Sequence, residues 1–418
     1  MPRSPYYRAL LPAAGIGGGL TSLPSAAGAD AAAHAKYRPD IDGLRAVAVL
    51  PVLLFHLGFG LAPGGFVGVD IFFVISGYLI TGLISAEMHE GTYSITKFYV
   101  RRARRIFPAL FFMCAVTALL VLLFCLPSDA KRFSNALAAA TLFGSNIYFY
   151  LTADYFAAAA ETQPLLHTWS LAVEEHFYLM LPLLFWVVTS SAKRSRSSLQ
   201  PILYVAAALT VVVFAVRIIN WRRMPIYTHA DHLTATHLRF DSLMFGVVLA
   251  YAFYLHPEKF AAIFSRWRVP FLPIGAACFI PAFVWPLGTN AFVHTAGFTL
   301  FQLGAGMLVV AALLLPAPTG YLPRLLARLG AYSYSIYLWH LAVIIHLMPA
   351  LRLPLPFPIR FAVTFVVAML VGVVLAKIIE MPALRLRDHW VPSRAGPMPV
   401  PHEPPTAATV EDADRVAV

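Results

Sequence analysis

Ten stretches of this chain are apolar over about the length of a bilayer-crossing helix. They are 43–60, 66–86, 107–126, 167–190, 199–218, 238–255, 268–286, 292–315, 331–350 and 357–380. A helix of roughly twenty apolar residues spans the hydrocarbon layer. Inside that layer every backbone polar group must be satisfied by the chain itself, so helices or a closed barrel are the available folds. A barrel requires alternating segments of about ten residues, and the sequence has none. The expected fold class is all-α, a polytopic integral membrane protein of about ten transmembrane helices. Only 12% of residues are charged against 59% hydrophobic, about half the charged share of soluble domains.

The net charge of +11 does not call for nucleic acid. With ten spans and both termini cytoplasmic, the loops assigned inside hold thirteen Lys and Arg, and those outside hold five (Lys131, Arg132, Arg222, Arg223 and Arg352). That asymmetry is what membrane topology requires. An eleventh candidate, 134–151, would invert it, so this segment is expected to be re-entrant or packed on the outer side. Residues 1–36 are expected to form a flexible N-terminal extension, 37–387 the membrane domain, and 388–418 a disordered tail. Cys114, Cys125 and Cys278 have neither metal-ligand nor disulfide spacing and are expected to be packing residues. No Walker A loop, dinucleotide-binding glycine fingerprint or GxSxG elbow is present, which argues against ATP-driven transport and serine-hydrolase chemistry.

Several ionisable residues fall inside the apolar stretches. Such groups are costly at membrane depth and mark functional sites by default. Arg45 and His56 are eleven residues apart, about three turns, on one helix face and about 16 Å apart along the axis. An arginine that snorkels and a histidine bonded to a carbonyl would explain each alone; their shared register favours a site. Asp70 lies just inside the second stretch, whereas Ser76 and Gly77 sit mid-span, where small residues serve helix contact. Lys97–Pro108 carries five cations that suit topology or lipid binding, and equally a phosphate-bearing donor. Glu174 and Glu175 are adjacent, so they point about 100° apart, and at most one is expected to share a space with His56. Arg239 and Asp241 point to opposite sides, and each is expected to pair with another helix. Tyr337, Trp339 and His340 give the ninth span aromatic and proton-active character, with Tyr337 and Trp339 accounted for by an interfacial aromatic belt. His229, Asp231, His232 and His237 match no standard zinc spacing, and no metal is expected.

Together these stretches resemble the acyltransferase-3 family of bacterial membrane acyltransferases. The resemblance rests on Arg45 with His56, FFVISGYLIT at 72–81, RRARR at 101–105, HTWSLAVEEHFY at 167–178, LRFDSLMFG at 238–246, SYSIYLWH at 333–340 and Glu380-Met381-Pro382. It implies an enzyme moving an acyl group, usually acetyl, from cytoplasmic acyl-coenzyme A to a hydroxyl of a carbohydrate or glycolipid of the cell envelope. It also implies an inner-membrane location with ten helices and both ends inside. The family motifs place Arg45 and His56 in the active site and Arg102 with Arg105 near the donor. Ser76 is assigned to the donor side as well, and Glu174 or Glu175 to fixing the His56 tautomer, with His56 acting as general base or as transient acyl acceptor. Position 176 is His where many relatives have Gln, a change expected to tune the glutamate pair. Some relatives carry a C-terminal SGNH domain; this chain has no such segment, so a separate partner protein would supply one if it is needed. The rival class is a proton-coupled transporter or flippase of a lipid-linked sugar, which would use the same residue types as a relay.

Overall fold

The computed structural model describes residues 38–390, apart from 59, 61, 90, 125, 153–162, 191–199, 225–229, 286, 288–289 and 317–319. Among them all regular structure is helical. The predicted extension 1–36 and most of the predicted tail lie outside the described residues; the last helix runs to Trp390, three residues into the segment assigned to that tail.

The first helix of the described residues is α1 (Pro39–His56), which starts as sequence rules dictate. Proline sits at its first position, where no N–H is needed, and Asp40 and Asp42 occupy the positive end of the helix dipole. It is followed by α2 (Gly68–His89) and the thirty-residue α3 (Ile95–Phe124). Two short helices come next, α4 (Pro127–Thr141) and α5 (Ser145–Leu151). Then come α6 (Thr168–Ser190), α7 (Gln200–Arg223) and α8 (Phe240–Leu255), continued by α9 (Pro257–Phe264). The short α10 (Phe271–Ala277) and α11 (Ile280–Val284) precede α12 (Phe298–Leu314). The set closes with α13 (Tyr321–Ala331), α14 (Ser333–Ala342), α15 (Phe357–Leu375) and α16 (Met381–Trp390).

Six of these helical runs are long and apolar enough to cross a membrane, and eight if two bent pairs each count as one span. The protein is therefore a multi-pass membrane protein. The bends are 109° between α8 and α9 and 66° between α13 and α14. All ten predicted stretches are helical, but two fail the length-and-charge test. In α1 three charged residues, Asp40, Asp42 and Arg45, fall within eighteen positions. The stretch 268–286 breaks into α10 and α11. Segment 134–151 is not one helix either, since the chain turns between α4 and α5 with Phe143 at φ 55°. The basic stretch 97–108 is not a loop: it forms the first turns of α3.

Helices α2 and α8 pack closely. Gly77 and Gly246 face each other there, and a Cβ on either would collide with the opposing backbone. The packing role expected of Gly77 is thus realised by glycine on both partners. Lipid contact explains the outer faces: Leu122, Leu123, Tyr204, Val211 and Leu370 are exposed, an apolar surface that water would not tolerate over this area. Cys114 is buried in the core and, like Cys278, is a free thiol; Cys125 lies outside the described residues.

Candidate active site

Two polar clusters lie inside the bundle. One is a pair of ion pairs at the α2–α8 contact. Arg239, at the start of α8, meets Asp70 of α2 at 2.9 Å, and Asp241 meets Arg217 of α7 at 2.6 Å. The expectation that Arg239 and Asp241 pair with different helices is met. Arg217 was not singled out by the sequence argument, although a lone arginine in the apolar run VVVFAVRIIN obeys the same rule as Arg45. It also donates to the Leu238 carbonyl at 2.7 and 2.9 Å. The Arg239 guanidinium stacks 4.1 Å above the Phe298 ring. None of these four charged side chains is more than 1% exposed, so the cluster has no route to a substrate.

The second cluster contains the predicted site residues. Arg45, His56, Ser76, Arg102, Arg105, Glu174 and Glu175 are all half-buried. Ser76 Oγ donates to Glu174 Oε1 at 3.0 Å, and Tyr178 Oη donates to Glu174 Oε2 at 3.3 Å. Arg102 lies 3.8 Å from Glu175 Oε1 and stacks on the Tyr178 ring at 3.7 Å. Arg105 has Arg45, Arg102 and Glu380 within electrostatic range, and Glu174 has Arg102 and Arg45. Arg45 itself pairs with Asp42 one turn away at 3.2 Å. Glu380 is buried at 5% exposure, at the end of a π-helical segment (Ala376–Glu380). Such segments recur at functional sites, and the sequence argument cited Glu380 only for family resemblance. Three cations and three carboxylates from α1, α3, α6 and the Ala376–Glu380 segment therefore share one space.

A histidine cluster adjoins it. His56, at the last residue of α1, has Nδ1 2.9 Å from the Val52 carbonyl and 3.3 Å from His340 Nε2. His340 and His167 rings lie 5.2 Å apart, and Tyr337 packs against both at 5.4 and 5.6 Å. Tyr337 also has Glu174 within electrostatic range, so it stands between the two groups. Tyr337 and Trp339 are 7% and 4% exposed, core residues rather than an aromatic belt; Trp339 packs on Phe112 at 5.8 Å.

Three of the predicted residues have definite partners. Glu174 and Glu175 are engaged by Ser76, Tyr178 and Arg102, whereas His56 Nδ1 lies against the Val52 carbonyl and His340. Ser76, placed on the donor side, has its hydroxyl committed to Glu174. His176 faces away from the glutamates, with Nδ1 3.3 Å from Thr236 Oγ1. His232 of the HADHLTATH stretch lies 2.9 Å from the Met224 carbonyl, and His229 falls outside the described residues. An apolar cavity of about 400 Å³ between α7 and α8, lined by Leu203, Ala206, Thr210 and Phe245 among others, contains none of the site residues.

Fold and site together define a multi-pass membrane protein with buried cations and an imidazole cluster in one seam. The comparisons give the class a family. The profile of the acyltransferase-3 family, described as an acyltransferase domain, matches residues 38–377, and the chain belongs to that family. It is similar to the peptidoglycan O-acetyltransferase OatA of Listeria monocytogenes, with 31% identity over 334 residues, covering 77% of this chain and 51% of that protein. It is likewise similar to the O-acetyltransferase OatA of Staphylococcus aureus, with 30% identity covering 74% of this chain and 51% of that protein. The putative peptidoglycan O-acetyltransferase YrhL of Bacillus subtilis is 32% identical over 75% of this chain and 49% of its own length. The chain thus spans about half the length of these relatives. No solved structure matches it.

Proposed function

We propose that this enzyme moves an acyl group, acetyl in the first instance, from cytoplasmic acyl-coenzyme A to a hydroxyl of a carbohydrate or glycolipid of the cell envelope. The observation that carries the proposal is the half-burial of all seven candidate residues within a bundle whose other charged cluster is sealed. Side chains that are neither packed away nor fully solvated stay within reach of a substrate. The peptidoglycan named for the relatives makes an envelope polysaccharide the first acceptor to try. In this proposal ten helices cross the inner membrane with both termini inside, counting α1 and the α10–α11 pair, and a separate protein is recruited for transfer beyond the membrane.

The arginines suit a polyanionic donor. Among the described residues the Arg102 Nε is buried without a hydrogen-bond partner, and a phosphate oxygen would satisfy it. Arg45 and Arg105 lie within reach of the same carboxylates, so donor phosphate would enter an existing balance of charge. His56 then takes the proton of the acceptor hydroxyl as the new C–O bond forms and the C–S bond breaks, and returns it to the departing thiolate. The order from Arg102 and Arg105 to His56 gives the donor an inner approach and the acceptor an outer one.

The test is release of free coenzyme A thiol by full-length protein in nanodiscs, with acetyl-coenzyme A and an acceptor glycan and no ion gradient. Thiol release coupled to acetylated glycan by mass spectrometry is expected. Acetyl-coenzyme A left intact while a lipid-linked sugar changes leaflet would replace the proposal with a transporter.

A further inference from the structure

The proton positions of the His56–His340 pair follow from their partners. His340 Nδ1 contacts the carbonyl of Tyr337, three residues back on its own helix. A carbonyl only accepts, so that nitrogen carries the ring proton, and in the neutral ring Nε2 holds the lone pair. His340 Nε2 faces His56 Nδ1 at 3.3 Å. His56 Nδ1 also lies 2.9 Å from the Val52 carbonyl, which again demands a proton on Nδ1. One assignment satisfies both Nδ1 contacts: His56 Nδ1–H is shared between Val52 and His340, and in the neutral ring the His56 lone pair sits on Nε2. A proton on His340 Nε2, in the neutral or the charged ring, would oppose the His56 Nδ1–H.

The surroundings hold His340 in that orientation. His167 Nε2–H donates to the Leu338 carbonyl at 3.0 Å. Tyr337 Oη donates to the His167 carbonyl at 2.8 Å and lies 2.6 Å from Ser170 Oγ. The backbone of 337–340 is thereby fixed to the start of α6. Among the described residues, the titratable groups within electrostatic range of His340 are His56 and His167, neither of them a carboxylate.

We propose that His340 is a positioning residue for the acyl transfer, its Nε2 accepting the His56 Nδ1 proton so that His56 presents the Nε2 lone pair to the acceptor hydroxyl. The proposal rests on the acyl-transfer function above. When His56 takes the hydroxyl proton, both its nitrogens carry protons, and the Nδ1–H···Nε2 bond to His340 spreads the positive charge over two rings. The charge disperses again when the Nε2 proton passes to the thiolate. A carboxylate does this work in serine-hydrolase triads; a neutral imidazole does it here without an additional anion at membrane depth.

His340→Phe fills the space and accepts no hydrogen bond; His340→Gln offers an amide oxygen. Both are assayed in nanodisc-embedded full-length protein with acetyl-coenzyme A and glycan acceptor. Loss of about a hundredfold in kcat for Phe, with the KM for acetyl-coenzyme A within about threefold and at least tenfold of the kcat recovered by Gln, is expected. Equal kcat for Phe and wild type, or equal damage by Phe and Gln, would overturn the proposal. A second measurement does not depend on turnover. In ¹⁵N-histidine NMR, the signals lost in His56→Ala and in His340→Phe should both show protonated Nδ1 and unprotonated Nε2. A His340 ring protonated at Nε2 overturns the proposal even in a protein that transfers no acyl group, and wild-type inactivity with the expected spectra would fault the reaction instead.

Discussion

Arg239 and Asp70 form an ion pair at 2.9 Å with no exposed surface on either side chain. Beside it lies the equally buried Arg217–Asp241 pair, so four charges tie α2, α7 and α8 together near the Gly77–Gly246 contact. Breaking a buried pair strands the remaining charge and costs about 3–5 kcal/mol, whereas replacing both partners by apolar groups can be neutral. Asp70→Ala is therefore expected to lower the unfolding temperature in detergent sharply, and Asp70→Leu with Arg239→Met to lower it less. Fluorescence-detected gel filtration after heating reads this directly. A double variant no more stable than the single one would mean that the charges do more than hold the helices together.

His56→Ala is expected to abolish transfer in protein that remains folded and inserted. The imidazole must be neutral to act as base, so activity should decline as pH falls through its pKa and level off above it. Acetylated product at the wild-type rate from His56→Ala would remove His56 from the chemistry. A burst of His-linked acetyl on rapid quenching would identify an acyl carrier instead of a base.

The sequence foretold much of this at the level of single helices. Hydropathy located the long apolar helices, and charges inside apolar runs pointed to Arg45, His56, Asp70, Glu174, Arg239 and Asp241. It did so because membrane depth makes each buried charge conspicuous without knowledge of its partner. Partners are another matter. Ser76 with Glu174, Arg102 with Glu175, and His56 with His340 join residues on different helices, and periodicity along one helix has no term for the distance between two. Bends escaped for a related reason: 316–330 reads as a loop ahead of the span 331–350, yet it carries α13, which meets α14 at 66° about Tyr332, where Gly330 lets α13 press on the Asp42 carbonyl of α1.

Arg45→Lys is expected to be a poor substitute. A compact ammonium cannot reproduce the planar two-point fork of the guanidinium, and Arg45 must serve Asp42 at 3.2 Å while facing the donor. Acetyl-coenzyme A affinity, measured by calorimetry, should drop about tenfold or more, with protein yield unchanged. Unaltered affinity with reduced kcat would assign Arg45 to orienting α1 and His56.

Arg102 and Arg105 distinguish donor binding from topology. Arg101 pairs with Glu87 at the start of α3, and Lys97, Arg101 and Arg104 supply enough positive charge to keep that end inside. Arg102 and Arg105 instead turn into the carboxylate cluster. Arg102→Gln with Arg105→Gln should thus leave insertion intact and weaken acetyl-coenzyme A binding by a factor of about a hundred, as two charge-assisted phosphate contacts are lost. The remaining affinity should also depend less on salt, since exposed parts of the attraction are screened within about 8 Å at physiological ionic strength. Calorimetry on the correctly inserted double variant, at low and high salt, measures both. Wild-type affinity and salt dependence would leave the two arginines as counter-ions for Glu175 and Glu380, and the donor phosphates would require other partners.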